Sequence, residues 1–297
     1  MLRLIFAPGF FTSAPVQTAL ILAGGAAVVA GLVGVFTILR GQSFAGHALA
    51  DISSAGGAAA YLLGLAPLCG FLGVAVLGAL AMSGGTKAQG VGRAAERDLL
   101  TGIVLGAGLG LTALLLYFDV TMRSTTGAAV TVMFGSMFAI PPGMASTALG
   151  VAVVALALMA AIWRPLLLSS LAPELARVRG VRVGLISLVH LLVLALSVTL
   201  CAMTIGAILA TALLIGPAAA ALRLARRPAV AVLAAMLIGL GACWGGILLA
   251  YDSYGWTGGH GWPVSFFIVA LIFAAYLASG LVRRRPGLGV RPVAGGG

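Results

Sequence analysis

The sequence predicts an all-α, polytopic helical membrane protein with about eight or nine transmembrane helices plus a short re-entrant or broken helix. Hydrophobic residues make up 62% of the 297 positions and charged residues only 8%, and the mean hydropathy is +1.18. Several windows exceed the ~20 apolar residues that a helix needs to cross the hydrocarbon layer. No soluble core requires this much apolar sequence, so we expect a single transmembrane domain over residues 1–297.

Nine apolar segments are long enough to be spans, and a tenth is not. The nine segments are residues 16–39, 46–64, 66–83, 98–118, 145–163, 183–203, 205–224, 229–251 and 263–282. The stretch 127–138 is too short to cross straight. We therefore expect Gly127–Ile140, which is closed by Pro141-Pro142-Gly143, to be re-entrant or broken and buried among its neighbours.

The fourth segment carries a glycine every four residues. Gly102, Gly106 and Gly110 would share one helix face. Small residues at this spacing let membrane helices approach closely. The spacing predicts a packing surface for a neighbouring helix.

The basic residues lie between the apolar segments and predict the orientation of the chain. The formal charge is +11, which would suggest nucleic acid only in a soluble protein. With residues 283–297 in the cytoplasm and nine crossings, all of the 17 lysines and arginines except Arg3 and Arg123 lie inside. We expect a cytoplasmic C-terminal tail and an external or interfacial segment at residues 1–15.

Motifs for enzymatic chemistry are missing from the sequence. There is no G-x-x-x-x-G-K-[ST] phosphate loop, no G-x-S-x-G elbow and no H-E-x-x-H pair. The three cysteines have no C-x-x-C spacing, so neither a disulfide framework nor a zinc knuckle is indicated. The sequence therefore predicts a chain that is not an enzyme.

A polar stripe crosses the second apolar segment. In a helix, the spacings of four, four and three residues place Ser43, His47, Asp51 and Ser54 on one face. An intramembrane Asp costs roughly 2.5–3.5 kcal/mol on insertion scales and requires partners or a wet cavity. The imidazole and the carboxylate suit a shared divalent cation, with Ser43 or Ser54 orienting either ligand as a second shell.

The segment 171–180 predicts a compact cytoplasmic helix. Pro173 can start it and Gly180 can end it, and Glu174, Arg177 and Arg179 lie between them. Two interpretations are open at this point. The segment is either a solvated charged loop or a docking helix for a cytoplasmic partner.

Four motifs in order resemble the permease subunits of the zinc/manganese/iron ABC importers, the ABC-3 family. SFAGHALAD at 43–51 resembles S-x-x-G-D-A-L-S-H-A, with His47 at the family's Asp position and Asp51 at its His position. FGSMFAI at 134–140 resembles F-G-S-x-L-x-I, and PELARVRG at 173–180 resembles P-E-x-A-R-x-x-G. GAILATALLIGPAAAAL at 206–222 resembles the most specific family signature, G-x-L-L-x-x-A-L-L-x-x-P-A-A-x-A-x-L.

The resemblance implies a function and an assembly. It implies the permease subunit of an ATP-driven importer of zinc or manganese in the bacterial plasma membrane, with no permanently bound cofactor. The implied partners are an ATP-binding subunit in the cytoplasm, an extracytoplasmic metal-binding protein, a second copy of the chain and membrane lipid, but no nucleic acid. Glu174, Arg177 and Gly180 would belong to the helix that couples to the ATPase.

Other interpretations of the polar residues stay open. A proton-coupled secondary transporter would use Asp51 and His47 as a proton relay, and a purely structural role would make them a hydrogen-bonded pair. A lone intramembrane histidine such as His190 is more often a hydrogen-bond donor between helices than a ligand. Asp252 and His260 flank an expected outer loop, whose Trp256 and Trp262 fit an interfacial aromatic belt.

Overall fold

Eleven α-helices and one 3₁₀ helix form the part of the chain that the computed structural model describes, which is residues 9–86, 93–123, 126–135, 137–139, 142–256 and 261–282. Within those ranges there is no β-strand, so the predicted all-α class is confirmed. The elements are α1 (Ala14–Leu39), α2 (Ser43–Leu63), α3 (Pro67–Thr86), α4 (Arg93–Arg123), α5 (Thr126–Phe134), the 3₁₀ helix (Met137–Ala139), α6 (Pro142–Leu171), α7 (Pro173–Val178), α8 (Val183–Ile205), α9 (Ala207–Leu224), α10 (Pro228–Trp256) and α11 (Val264–Val282).

Seven of these helices are long and apolar enough to cross a membrane, as far as the described residues go: α1, α4, α6, α8, α9, α10 and α11. Each of the nine predicted spans nevertheless coincides with a helix. Of the helices at the nine predicted spans, α2 and α3 fall outside the set of seven. The polar stripe lowers the hydropathy of α2, and the apolar stretch of α3 covers only Pro67–Ser83.

Burial separates the central helices from the peripheral ones. In their most apolar windows, 78% of α1 and 67% of α8 are buried, against 22% of α4 and α11. The peripheral helices expose large apolar side chains such as Ile103, Leu109 and Phe273. Helices in a bilayer bury backbone polar groups internally and need no polar outer face. We therefore place α1 and α8 at the centre of the bundle and the exposed faces of α4 and α11 toward lipid.

Two chain breaks meet at the end of the bundle that lies opposite α7. After α5, Gly135 adopts a φ of +77° before the 3₁₀ helix, and Gly206, with a φ of +88°, is the single residue between α8 and α9. A Cβ atom on Gly135 would lie 2.7 Å from the Gly206 backbone nitrogen. Only glycine tolerates both the positive φ and this approach. The broken helix expected near 127–138 is confirmed as α5 and the 3₁₀ helix.

The packing surface predicted on α4 lies on another face. A Cβ atom added at Gly102, Gly106 or Gly110 would meet nothing within 4 Å in this chain. At Gly108, by contrast, it would lie 2.6 Å from the backbone nitrogen of Ile52 on α2. The close approach of α2 and α4 therefore occurs at Gly108. The predicted packing surface at the other three glycines was wrong for contacts within this chain.

Two segments near the ends of helices differ in how well they were predicted. The helix α7 begins at Pro173, and Gly180 follows it with a φ of +76°, as the sequence indicated. The loop predicted from residue 252 was wrong in its first part, because α10 continues to Trp256 and buries Asp252. The buried carboxylate therefore belongs to a helix. His260 lies outside the described residues.

Candidate functional site

The helix α2 brings His47 and Asp51 together on one face. It begins at Ser43, directly after a turn in which Gly41 has a φ of +65°. His47 Nε2 lies 3.6 Å from Asp51 Oδ2. The imidazole is 46% exposed and the carboxylate only 7%. The pair thus joins an accessible nitrogen to a buried carboxylate one helical turn away.

The separation within the pair is longer than a hydrogen bond. A nitrogen-to-oxygen distance of 3.6 Å exceeds hydrogen-bond range, and Asp51 Oδ2 is buried with no hydrogen-bond partner. Two tetrahedral ligand atoms, each ~2.1 Å from a zinc ion, lie about 3.4 Å apart. The two atoms form an ion-pair contact at a spacing that would also allow both to contact one cation.

The backbone beneath the pair is held by α4. Ser54 Oγ lies 2.6 Å from the Asp51 carbonyl oxygen and 2.7 Å from Thr112 Oγ1. Thr112 Oγ1 donates to the Gly108 carbonyl at 2.7 Å. Because this contact uses the Thr112 proton, the Ser54 hydroxyl shares its own proton between the Asp51 carbonyl oxygen and Thr112 Oγ1. Ser54 therefore stabilises the main chain of Asp51. The Asp51 carboxylate remains available to another group.

Sequence reasoning missed Thr112 and Gly108. They are four residues apart on α4, so they share the face that crosses α2. A small residue followed one turn later by a hydroxyl residue is the available signal. The glycine repeat on another face of α4 was more regular and drew the prediction there.

Two ligands per chain are what the described residues offer. Ser43 is the half-buried first residue of α2, one turn before His47. In the described ranges, no group of three or more His, Cys, Asp or Glu side chains could hold a metal ion. A cation at this pair would complete its coordination with water or with groups from another chain.

Two other polar residues of the apolar helices are also buried. His190 is fully buried, and neither of its ring nitrogens has a hydrogen-bond partner, so the hydrogen bond expected between helices is absent at this described residue. Asp119 is buried on α4.

The surface helix α7 carries an ion pair of its own. Both carboxylate oxygens of Glu174 accept from Arg177 Nη1 at 2.9 Å. The Glu174 side chain is 80% exposed, so this pair contributes little to stability. Ala176 faces inward and is fully buried. The result is a short helix anchored by one apolar residue, with a polar face open to a partner.

A wide cavity lies at the opposite end of the bundle. Its volume is about 1250 Å³, and its lining includes Tyr251, Tyr254 and Trp262 together with Gly135 and with Thr204 near the end of α8. No residue of α2 lines it. The cavity and the His47–Asp51 pair are therefore separate features.

The order of these features along one helical chain matches a known family. The model of the ABC 3 transport family matches residues 13–280, which include the polar stripe, both chain breaks and α7. The chain belongs to the ABC 3 transport family. Membership accounts for the arrangement of a multi-pass bundle with a short surface helix between α6 and α8.

Named relatives and a solved structure are similar over most of the chain. The manganese import system permease protein ScaB of Streptococcus parasanguinis is 34% identical over 207 residues, which cover 69% of this chain and 70% of ScaB. The high-affinity zinc uptake system membrane protein ZnuB of Haemophilus influenzae is 27% identical over 227 residues, 74% of this chain and 83% of ZnuB. The structure of PsaBC from Streptococcus pneumoniae in complex with Fab aligns with a TM-score of 0.73 and 27% identity, over 91% of this chain and 92% of that one.

Proposed function

We propose that this chain is the permease subunit of an ATP-driven importer of manganese or zinc. Family membership supports the permease role, and the names of ScaB and ZnuB support the two metals. The observation that carries the proposal is the His47–Asp51 pair, with its 3.6 Å separation and its buried, unpartnered carboxylate oxygen. Such a pair in an apolar bundle requires a positive partner.

The pair gives a cation partial replacement for its water shell. His47, which is accessible, would take the ion first, and the Asp51 carboxylate would supply the compensating negative charge. Imidazole suits zinc and carboxylate suits manganese, so one ligand of each kind serves both metals. Two ligands per chain bind more weakly than the four of a structural zinc site. A transport site must release its ion, and weak binding serves that requirement.

The proposed assembly places ATP hydrolysis and metal delivery on other chains. It has no phosphate-binding loop, so ATP hydrolysis belongs to a separate cytoplasmic subunit, which docks on α7 through Glu174, Arg177 and Gly180. The end of the bundle that carries α7, with residues 283–297, then faces the cytoplasm. The aromatic cavity faces outward, where an external metal-binding protein delivers the ion, and a second copy of the chain completes the permease.

One rival mechanism uses the same residues. In a proton-coupled transporter, Asp51 and His47 would carry protons and no ATPase would be required. Family membership favours the ATP-driven mechanism, because the family is one of ABC transporters.

Uptake by cells separates the two mechanisms. We expect cells that express the whole transporter to accumulate radiolabelled manganese or zinc, and to lose this uptake when the ATP-binding subunit is deleted. Replacing Asp98, an exposed acid on α4, by Ala should leave uptake unchanged and serves as the matched control for loss of one carboxylate. Full uptake without the ATP-binding subunit would contradict the proposal.

A further inference from the structure

A half-buried arginine connects three helices at the end of the bundle that carries α7. Arg40 follows the last residue of α1, and its guanidinium reaches hydroxyls on both helices that α7 links. Its Nη1 donates to Ser169 Oγ at 3.2 Å and approaches Ser170 Oγ at 3.5 Å, both on α6. Its Nη2 donates to Ser187 Oγ on α8 at 2.5 Å. Arg40 therefore ties the end of α1 to both sides of α7.

The hydroxyls on α6 are oriented to accept these bonds. Ser169 Oγ and Ser170 Oγ each donate to the Leu166 carbonyl, at 3.0 and 2.6 Å. Their protons are thus used within α6, and their lone pairs remain for the guanidinium. The arginine also lies near the C-terminal ends of α1 and α6, where the helix dipoles favour a positive charge. The serine hydroxyls and the two helix ends therefore stabilise the positive charge of the Arg40 guanidinium.

Short connections lead from this cluster to α7 and to the His47–Asp51 pair. Ser170 lies three residues before Pro173, the first residue of α7, and Ser187 lies in the first turns of α8, which α7 precedes. On the other side of Arg40, the Gln42 amide donates to the Thr37 carbonyl at 2.8 Å. This bond closes the turn that leads directly into α2, where His47 lies about 6 Å above Ser43 along the helix axis.

We infer that Arg40 is a positioning residue that makes the start of α2 move with α7. This inference rests on the proposed function, in which an ATP-binding subunit moves α7. Hydrogen bonds to Ser169 and Ser187, with a 3.5 Å contact to Ser170, hold the α1–α2 turn in a fixed relation to α7. A displacement of α7 then moves the His47–Asp51 pair through Arg40. This path does not need a direct contact between α7 and α2.

Spin-label distances test the link without requiring transport. In the purified complex with its ATP-binding subunit, labels replace Val178 on α7 and Phe44 on α2, both exposed, after Cys69→Ala removes the exposed native thiol. We expect the Phe44–Val178 distance to stay the same between the nucleotide-free and ATP-trapped states in the otherwise unchanged chain. In Arg40→Gln the distance should change between those states, because α7 then moves alone.

Transport stoichiometry gives the second readout. Arg40→Gln should transport about fivefold fewer ions per ATP or worse, and Arg40→Lys should recover part of the ratio. Ser187→Ala, which removes one acceptor and leaves the arginine, should produce the same effect more weakly and serves if Arg40→Gln does not assemble. The matched control is Arg223→Gln. Arg223 also donates to a hydroxyl, but that hydroxyl belongs to Tyr276 on α11 and not to α6 or α8.

The two proposals fail in different ways. An Arg40→Gln complex with an unchanged label distance and an unchanged ion-to-ATP ratio would overturn the role of Arg40 while leaving the importer intact. If the unaltered complex hydrolysed ATP with coupled label distances but moved neither manganese nor zinc, the choice of cargo would be overturned and the link would stand.

Discussion

At the scale of single residues, the His47–Asp51 pair is the proposed cation site and also the place where the chain departs from the family motif. The spacing of four residues could be read from the sequence, because it depends only on helix geometry. The burial of the Asp51 carboxylate could not, because it depends on how α4 crosses α2. Gly108 and Thr112 lie at that crossing, and their pattern in the sequence is weaker than the regular glycine repeat on another face of α4.

The exchange of the two ligands is itself testable. We expect His47→Ala and Asp51→Ala each to abolish metal uptake, because each removes one of two ligands. The double variant His47→Asp with Asp51→His restores the family order and should retain uptake, since both ligand types stay one turn apart. Radiolabelled manganese and zinc uptake measures both effects, with membrane insertion checked by the yield of purified protein.

The double variant also places the imidazole at the buried position and the carboxylate at the exposed one. A shift in the preference between zinc and manganese is therefore expected to accompany retained uptake. Unchanged uptake in both single Ala variants would remove the pair from the transport path.

At the scale of helices, the sequence predicted where elements lie better than how they touch. The ends of α7 followed from Pro173 and Gly180, which act locally. The extension of α10 through Asp252 was missed, because a charged residue after an apolar span resembles a loop until its burial is known. Contacts between helices depend on tertiary packing, which a local pattern does not contain.

The crossing of α2 and α4 gives a matched pair of variants. Gly108→Ala places a methyl group 2.6 Å from the Ile52 backbone nitrogen, so the helices must separate. We expect a loss of about 1–3 kcal/mol of stability and weaker metal uptake. Gly106→Ala meets nothing within 4 Å and should be neutral or more stable by up to about 1 kcal/mol. Thermal unfolding of the purified protein compares them, and equal melting temperatures would contradict the crossing.

The coupling role of α7 is tested on its exposed face. Glu174→Ala removes an 80% exposed carboxylate that pairs with Arg177 on the same helix, so the fold should be unaffected. Because the ATP-binding subunit would dock here, we expect ATP hydrolysis to continue with reduced uptake. Val178→Ala, on the same helix, is the control. Normal uptake in Glu174→Ala combined with a replacement of Gly180 would remove the docking role.

At the scale of the whole molecule, composition alone was enough to predict a multi-pass helical bundle. Among the described residues, seven helices are long and apolar enough to cross a membrane, and this finding and the family match over residues 13–280 agree with that prediction. The assembly lies beyond a single chain, because the surfaces that meet an ATPase, a second copy or a binding protein differ little in composition from surfaces that meet lipid. Chemical cross-linking in native membranes should capture a dimer of this chain.

The central claim is that ATP drives manganese or zinc past the His47–Asp51 pair. The direct measurement uses proteoliposomes that contain the complete complex, with ATP on the side of α7 and no proton gradient. We predict ATP-dependent accumulation of manganese or zinc by the unaltered complex, none by Asp51→Ala, and unchanged accumulation by Asp98→Ala. Accumulation that needs a proton gradient and no ATP, or that persists in Asp51→Ala, would contradict the account.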